Sequence, residues 1–138
     1  MLPRGHVIAS GVFSICVWFY FKSIGCAAIS FVAGVLLDAD HFIDYCADHG
    51  FTLNIQDVYD TCLEIRLNRL YLILHSYELL ILLWMAIFVF GLSSLWKAFA
   101  LGYTQHILLD QMTNPIRPLG YFLTYRIAKG FKKELIIH

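Results

Sequence analysis

The stretch Leu36-Leu37-Asp38-Ala39-Asp40-His41 decides the fold, because a long apolar run ends there in two carboxylates and an imidazole. Burying such groups without partners is costly, and Asp and His at this spacing can converge on one cation from a helix end. A polar helix end that meets water is the alternative interpretation. Further metal-ligating side chains along the chain favour the cation site: His6, His75, Glu78, His106 and Asp110.

The composition indicates a membrane protein. Hydrophobic residues make up 59% of the 138 residues and charged residues only 14%, whereas a soluble domain has about 25% charged residues. The mean hydropathy is +0.68. The formal net charge is zero, so we expect no nucleic-acid partner. The length predicts a single domain over residues 1–138.

Four apolar runs predict an all-α fold, a membrane-embedded bundle of two antiparallel helical hairpins. The first hairpin has helices over residues 5–21 and 24–37 with a turn near Ser23, and the second has helices over residues 70–92 and 95–112. Small residues in the second run permit close helix contact. The first two runs are shorter than the roughly 20 residues of a full span. Short or tilted spans and helices buried within a bundle are therefore both open.

Two segments outside the apolar runs carry most of the charge. Residues 42–69 predict a loop followed by an amphipathic connecting helix over about residues 54–70, where apolar residues keep helical spacing. The tail over residues 120–133 alternates aromatic and basic residues, which predicts an interfacial C-terminal helix.

Counting along the hairpins predicts that the polar residues meet at one end. His6 and Asp40 each lie seventeen positions from Ser23, which is roughly 25 Å of helix. His75 lies eighteen positions before the second turn at Ser93, and the fourth helix carries its polar residues at the same end. The loop over residues 42–69 joins the hairpins there, so we expect one shared pocket.

Spacing on the helices supports a metal site in that pocket. His106 and Asp110 are four positions apart and His75 and Glu78 are three apart, so each pair shares a helix face. A self-satisfied His–Asp pair is the structural alternative. The predicted ligands suit two ions with water completing the shells, and are His6, Asp38, Asp40, His41, His75, Glu78, His106 and Asp110.

At these residues the chain resembles the membrane-bound metal-dependent hydrolase family, also described as LexA-binding, inner-membrane-associated hydrolases. The matching features are His6, the Leu-x-Asp-x-Asp-His block over residues 36–41, His75-Ser76, and Gly-Tyr-x-x-His-x-x-x-Asp-x-x-Thr over residues 102–113. The resemblance implies an apolar relative of the zinc-dependent phospholipase C and P1-type nuclease helical fold. It extends from His6 to about residue 118.

The resemblance implies a hydrolase that uses one or two divalent ions, Zn²⁺ by expectation, to activate water against a phosphoester such as that of a phospholipid. The family often reads His-Arg-x-x-Thr-His-Ser before the third helix, where this chain has Leu70, Tyr71 and Leu74. Candidate catalytic residues are Glu78 and Asp40. Glu78 has three open roles: a metal ligand, a partner that orients a histidine, or a general base.

The basic residues predict the orientation in the membrane. Lys22 and Lys97 lie at the turn end of the hairpins, and eight other basic residues lie at the ligand end. The positive-inside rule then puts the site on the cytoplasmic side of a multi-pass protein in a prokaryotic inner membrane. Two other functions stay open: a non-catalytic membrane protein with a structural metal site and a regulatory or partner-binding role, and a di-iron membrane oxidase.

Overall fold

The computed structural model describes residues 3–138 and confirms the all-α prediction, since no β-strand occurs in that range. Eight α-helices follow one another within residues 3–138. They are α1 (Pro3–Phe21), α2 (Ile24–Leu36), α3 (Asp40–His49), α4 (Ile55–Leu63), α5 (Tyr77–Val89), α6 (Ser94–Thr113), α7 (Leu123–Ala128) and α8 (Lys133–Ile136). Short 3₁₀ turns cover Leu37–Ala39 and Pro118–Tyr121.

The chain divides into two compact units, each assembled from separate stretches of sequence. The first unit contains Met1–Leu37 and Tyr77–Asn114, and the second contains Asp38–Ser76 and Pro115–His138. In the first unit α1, α2 and α6 pack against one another, and α5 packs against α6. Each of the four predicted apolar segments thus contributes a helix to this unit.

The turn between α1 and α2 falls where the sequence predicts it. Lys22 adopts a left-handed backbone with φ of 52°, which reverses the chain. The Ser23 hydroxyl then accepts a hydrogen bond from the Cys26 amide at 3.3 Å and caps the first turn of α2. The apolar side chains of Val17, Cys26 and Ala98 meet in the core between the helices.

Glycines let α2 approach both α6 and α1 closely. A Cβ atom at Gly102 would collide with the Ser30 backbone carbonyl, and one at Gly34 would collide with the Ser10 hydroxyl. The small residues noted in the second apolar run therefore set the distance between these helices. This close contact also brings the Gly34 carbonyl of α2 within hydrogen-bond distance of His106.

Two stretches among residues 3–138 are long and apolar enough to cross a membrane, Arg4–Phe21 and Ile24–His49. Only 17% of the first is buried within the protein and 33% of the second. Large apolar side chains on α1 lie in the open, including Val12 at 61% and Tyr20 at 79% exposure. A core helix of a soluble protein would instead be mostly buried.

The second unit has its own apolar core. Tyr45 of α3 and Val58 of α4 pack there with Leu67, Leu72 and Ile136. The C-terminal residues return to this core, because the Arg117 amide donates to the Ile136 carbonyl at 2.9 Å. The last four helical residues of the chain thereby become part of the unit.

Several predicted helices differ from the structure. The third apolar helix was predicted over residues 70–92, but α5 begins at Tyr77, so His75 is outside it. The predicted loop after residue 41 contains α3, and the connecting helix is only Ile55–Leu63. The single interfacial helix predicted over residues 120–133 is wrong as well, since two short helices, α7 and α8, occupy the tail.

Candidate metal centres

The first cluster of metal-ligating side chains lies within the first unit and consists of His6, His106 and Asp110. His6 comes from α1 and the other two from one face of α6, four positions apart. The His6 Nε2 atom lies 2.9 Å from Oδ1 of Asp110, and the His106 Nε2 atom lies 3.4 Å from Oδ2. The two imidazole rings stack with centroids 4.2 Å apart. All three side chains are buried.

The backbone of α2 fixes the orientation of His106. Its Nδ1 atom lies 2.8 Å from the Gly34 carbonyl oxygen. A carbonyl oxygen only accepts hydrogen bonds, so Nδ1 carries a proton, and in the neutral ring, the form that binds metals, Nε2 keeps its lone pair. The ring therefore presents a potential ligand atom toward Asp110. Histidines that bind metals in proteins are commonly held by such a bond from the other ring nitrogen.

The donor set of this cluster fits a divalent cation. One ligand atom from each of His6, His106 and Asp110 can be chosen so that all lie within 4.8 Å of one another. Two imidazole nitrogens and one carboxylate oxygen are ligands that Zn²⁺ takes in proteins. The Nδ1 atom of His6 is buried and has no hydrogen-bond partner among residues 3–138. A cation would also neutralise the buried Asp110 carboxylate.

The second cluster lies within the second unit and consists of Asp38, His41 and His75. Oδ1 of Asp38 lies 3.8 Å from Nε2 of His41 and 3.7 Å from Nε2 of His75. Here too one potential ligand atom from each residue can be chosen so that the three atoms lie within 4.8 Å of one another. Asp38 is 23% and His41 is 29% exposed, whereas His75 is 1% exposed. This cluster is therefore open to solvent on one side.

A ladder of three carboxylates on α3 holds the chain that carries His75. Asp40, Asp44 and Asp48 are four positions apart, so they share one helix face. Their side chains accept hydrogen bonds from backbone amides of residues 68–75. Asp48 accepts from Asn68, Asp44 from Tyr71 and Leu72, and Asp40 from Leu74 and His75, at 2.7–3.3 Å. We call Asp40, Asp44 and Asp48 the carboxylate ladder.

The ladder explains why residues 70–76 are not helical. Amides that an α-helix would bond to its own carbonyl groups are instead bonded to carboxylates of α3. These partners lie 27 and 34 positions away in sequence. His75 and Glu78 therefore do not share a helix face, as their spacing predicted. His75 precedes α5, and Glu78 lies in its first turn.

Three charged residues of the second unit are fully buried, namely Asp40, Asp44 and Arg126, and the sequence carries little sign of the burial of Arg126. Arg126 of α7 is 0% exposed, although the tail was predicted to lie at a membrane surface. Asp44 is also 0% exposed, and the charge of Arg126 acts favourably on its carboxylate. The spacing of Asp40, Asp44 and Asp48 was visible in the sequence and is the signal that could have predicted the ladder.

The predicted ligands that the structure brings together form these two groups, and two of the eight belong to neither. Among the described residues, Glu78 is half-buried and is not a member of a cluster. Asp40 is also outside the clusters and is fully buried. Its Oδ2 atom lies 3.2 Å from Nδ1 of His75, so it contacts a cluster member.

Comparison with known proteins does not identify these clusters. No protein-family model, curated protein or solved structure matches this chain. The resemblance to the membrane-bound hydrolases therefore stays a prediction. Function has to be inferred from the donor atoms, their burial and their surroundings.

Proposed function

We propose that this protein is a membrane-embedded, metal-dependent hydrolase that cleaves a phosphoester bond, such as that of a lipid headgroup. In this proposal each cluster binds one divalent ion, with Zn²⁺ as the expected metal. The resemblance of the sequence to membrane-bound hydrolases supports the reaction class. The two sets of donor atoms support the metal.

The observation that carries the proposal is the bond between His106 and the Gly34 carbonyl. It holds Nε2 of His106 as an acceptor beside the Asp110 carboxylate at 3.4 Å. A histidine that only stabilised a helix contact could use either ring nitrogen. Here the ring is turned so that the lone pair faces the other two potential ligands.

The two clusters differ in burial, and this suggests different roles. His6, His106 and Asp110 are no more than 1% exposed, so a substrate has little access to the first cluster. Asp38 and His41 are 23% and 29% exposed. Three protein ligands with one accessible side are typical of catalytic zinc, which keeps a position for water. We therefore propose that the second cluster meets the substrate.

A divalent ion in this position would acidify a bound water and offset the charge of a phosphoester. The protein has to supply the metal ligands, access for the substrate and a group that accepts a proton from the water. Glu78, a half-buried carboxylate in the first turn of α5, is the general-base candidate from the sequence alone. Asp40 has no exposed surface, which suits a residue that acts through His75 and not on the substrate directly.

Metal content tests the proposal directly. Purified full-length protein in detergent should contain two equivalents of metal. His106→Ala and His41→Ala should each contain one, while His138→Ala, which changes an exposed histidine, should keep two. Hydrolysis of bis-p-nitrophenyl phosphate and of phospholipids should be lost in His41→Ala. Wild-type protein without bound metal, or with hydrolysis unaffected by His41→Ala, would contradict the proposal.

The membrane location rests on the exposed apolar surface of α1. Its side chains have no core to cover them, as Ile15 at 54% and Phe19 at 58% exposure illustrate. We propose that α1, α2, α5 and α6 form a four-helix bundle in the lipid, with the metal sites at the cytoplasmic side. The protein should remain in the membrane after carbonate extraction. A reporter fused after His138 should be cytoplasmic, and a periplasmic reporter would overturn the orientation.

A non-catalytic membrane protein with a structural metal is the second candidate, and the complete burial of the first cluster favours it. In that case wild-type protein would bind metal without cleaving a phosphoester, and His106→Ala would lower stability. Iron in place of zinc would instead favour an oxidase, because two histidines with one carboxylate also bind non-haem iron. Elemental analysis of the same samples separates these outcomes.

A further inference from the structure

We propose that Asp40 is a positioning residue that fixes the ring of His75, so that Nε2 is directed at the cation of the second cluster. This inference rests on the metal site of the proposed function. It assigns Asp40 a role different from that of a ligand. The structural basis is a single oxygen of Asp40, which accepts hydrogen bonds from residues 74 and 75 just before α5.

Three N–H groups converge on a single oxygen of Asp40. The Leu74 amide lies 2.7 Å from Oδ2, the His75 amide 3.3 Å and the His75 Nδ1 atom 3.2 Å. Backbone and ring of His75 are thus held by the same atom. Asp40 is 0% and His75 1% exposed, so water does not compete for these bonds.

The direction of the ring follows from the acceptor. An ionised carboxylate only accepts hydrogen bonds, so the contact at 3.2 Å requires the proton on Nδ1. In the neutral ring, the form that binds metals, Nε2 then keeps its lone pair on the opposite edge. That edge faces Oδ1 of Asp38 at 3.7 Å, inside the second cluster. A carboxylate bonded to the far nitrogen also makes the ring a stronger ligand.

Asp40 has one competing role, which is direct ligation. Its Oδ1 atom is buried and has no hydrogen-bond partner among residues 3–138. Asp40 nonetheless does not belong to either set of mutually close donor atoms. Ligation and positioning differ in their consequences. Loss of a ligand removes an ion, whereas loss of an orienting partner weakens the binding of an ion that is still held.

The carboxylate ladder offers a matched control. Asp48 lies on the same face of α3 and accepts from the Asn68 amide at 2.8 Å, but it makes this bond seven positions from His75. Asp48→Asn therefore changes the same residue type and the same kind of backbone contact without touching the imidazole. Any effect specific to Asp40→Asn reports on His75 and not on the loss of a carboxylate from the ladder.

The experiment measures zinc affinity by competition with a chromophoric chelator, on full-length wild type, Asp40→Asn and Asp48→Asn. We expect Asp40→Asn to keep two equivalents of zinc and to bind one of them about 10–100-fold more weakly. Asp48→Asn should bind both as the wild type does. Loss of one equivalent in Asp40→Asn would identify Asp40 as a ligand, and unchanged affinity would show that it has no part in the site. Either result overturns the inference.

A second measurement does not depend on metal. Nitrogen NMR of the histidine rings in metal-free wild-type protein should find neutral His75 with its proton on Nδ1. A proton on Nε2 would overturn the inference even if Asp40→Asn failed to fold. If the wild type binds no zinc, the proposed function fails, while the ring spectrum still decides how Asp40 orients His75. The two failures are therefore distinguishable.

Discussion

The Nε2 atom of His6 lies 2.9 Å from Oδ1 of Asp110, although 104 positions separate the two residues. Both side chains are buried, and His106 completes the group from the same helix as Asp110. This contact ties α1 to α6 through polar atoms within an otherwise apolar unit. Buried polar groups of this kind are costly when they lose a partner, which makes the cluster testable by substitution.

Asp110→Ala should lower the free energy of unfolding of the metal-free protein by about 1–3 kcal/mol, because the buried His6 imidazole loses the carboxylate oxygen that lies 2.9 Å from its Nε2 atom. The measurement is thermal or denaturant unfolding in detergent with a chelator present. Asp60→Ala is the control, since Asp60 makes an exposed side-chain contact with Gln56 at 3.1 Å. Equal effects of the two substitutions would contradict a stabilising role for the buried cluster.

Gly102→Ala should destabilise the first unit by about 1–3 kcal/mol, because the added methyl group meets the Ser30 carbonyl and pushes α2 away from α6. The same movement would carry the Gly34 carbonyl away from His106 and weaken zinc binding. Gly11→Ala is the matched control in α1, where nothing lies within 4 Å of the added Cβ. It should be neutral or stabilising by up to about 1 kcal/mol, as expected for alanine in a helix.

Arg126→Met should destabilise the protein by about 1–3 kcal/mol, because it removes a buried positive charge that acts favourably on the buried Asp44 carboxylate. The loss should be smaller when Asp44→Asn is already present, and a double-mutant cycle measures this difference. Arg66→Met is the control: Arg66 pairs with Glu64 at 3.0 Å, but both are more than half exposed. It should have a much smaller effect, and additive losses in the cycle would show that Arg126 and Asp44 are independent.

The Cys62 thiol should react slowly with alkylating reagents. Burial, with a smaller effect from the Asp44 charge, raises the pKa of Cys62 from 9.0 to about 11. Its thiolate fraction at pH 8 is then about 100-fold lower than in the unfolded chain. In a variant that keeps only this cysteine, the rate for the folded protein should rise tenfold per pH unit up to about pH 10, while the rate for the unfolded chain levels off above pH 9.

The raised pKa of Cys62 also makes the stability of the folded protein depend on pH. The folded protein holds the Cys62 proton more tightly than the unfolded chain does, so raising the pH from 9 toward 11 favours unfolding. Below pH 9 both states keep the proton, and Cys62 contributes no pH dependence. Equal alkylation rates for folded and unfolded protein at pH 8 would contradict the raised pKa.

Local sequence was sufficient for some features and not for others. The turn at Ser23 could be predicted because its cap is a side chain bonded three positions away. The start of α5 could not, since the amides before it bond to Asp40 and Asp44, more than 25 positions earlier. The pairing of His106 with Asp110 followed from helical spacing. The proton position on His106 did not, because it depends on a carbonyl of another helix.

The burial of Arg126 shows the same limit in the tail. Its alternation of basic and aromatic residues resembles a surface helix, and no pattern in residues 120–133 indicates that one guanidinium is enclosed. Arg126 is enclosed in the second unit, which also contains residues 38–76. Composition predicted the character of the tail, and tertiary packing then gave Arg126 a different environment.

The interleaving of the two units bears on how the chain is made. During translation His6 emerges long before Asp110, and α3 long before α7, so neither unit can close while the ribosome still holds the second half of the chain. A nascent chain of this kind exposes apolar helices and half-formed polar groups for most of its synthesis. Cells would have to shield these segments, by insertion or by chaperones, until the last residues are released.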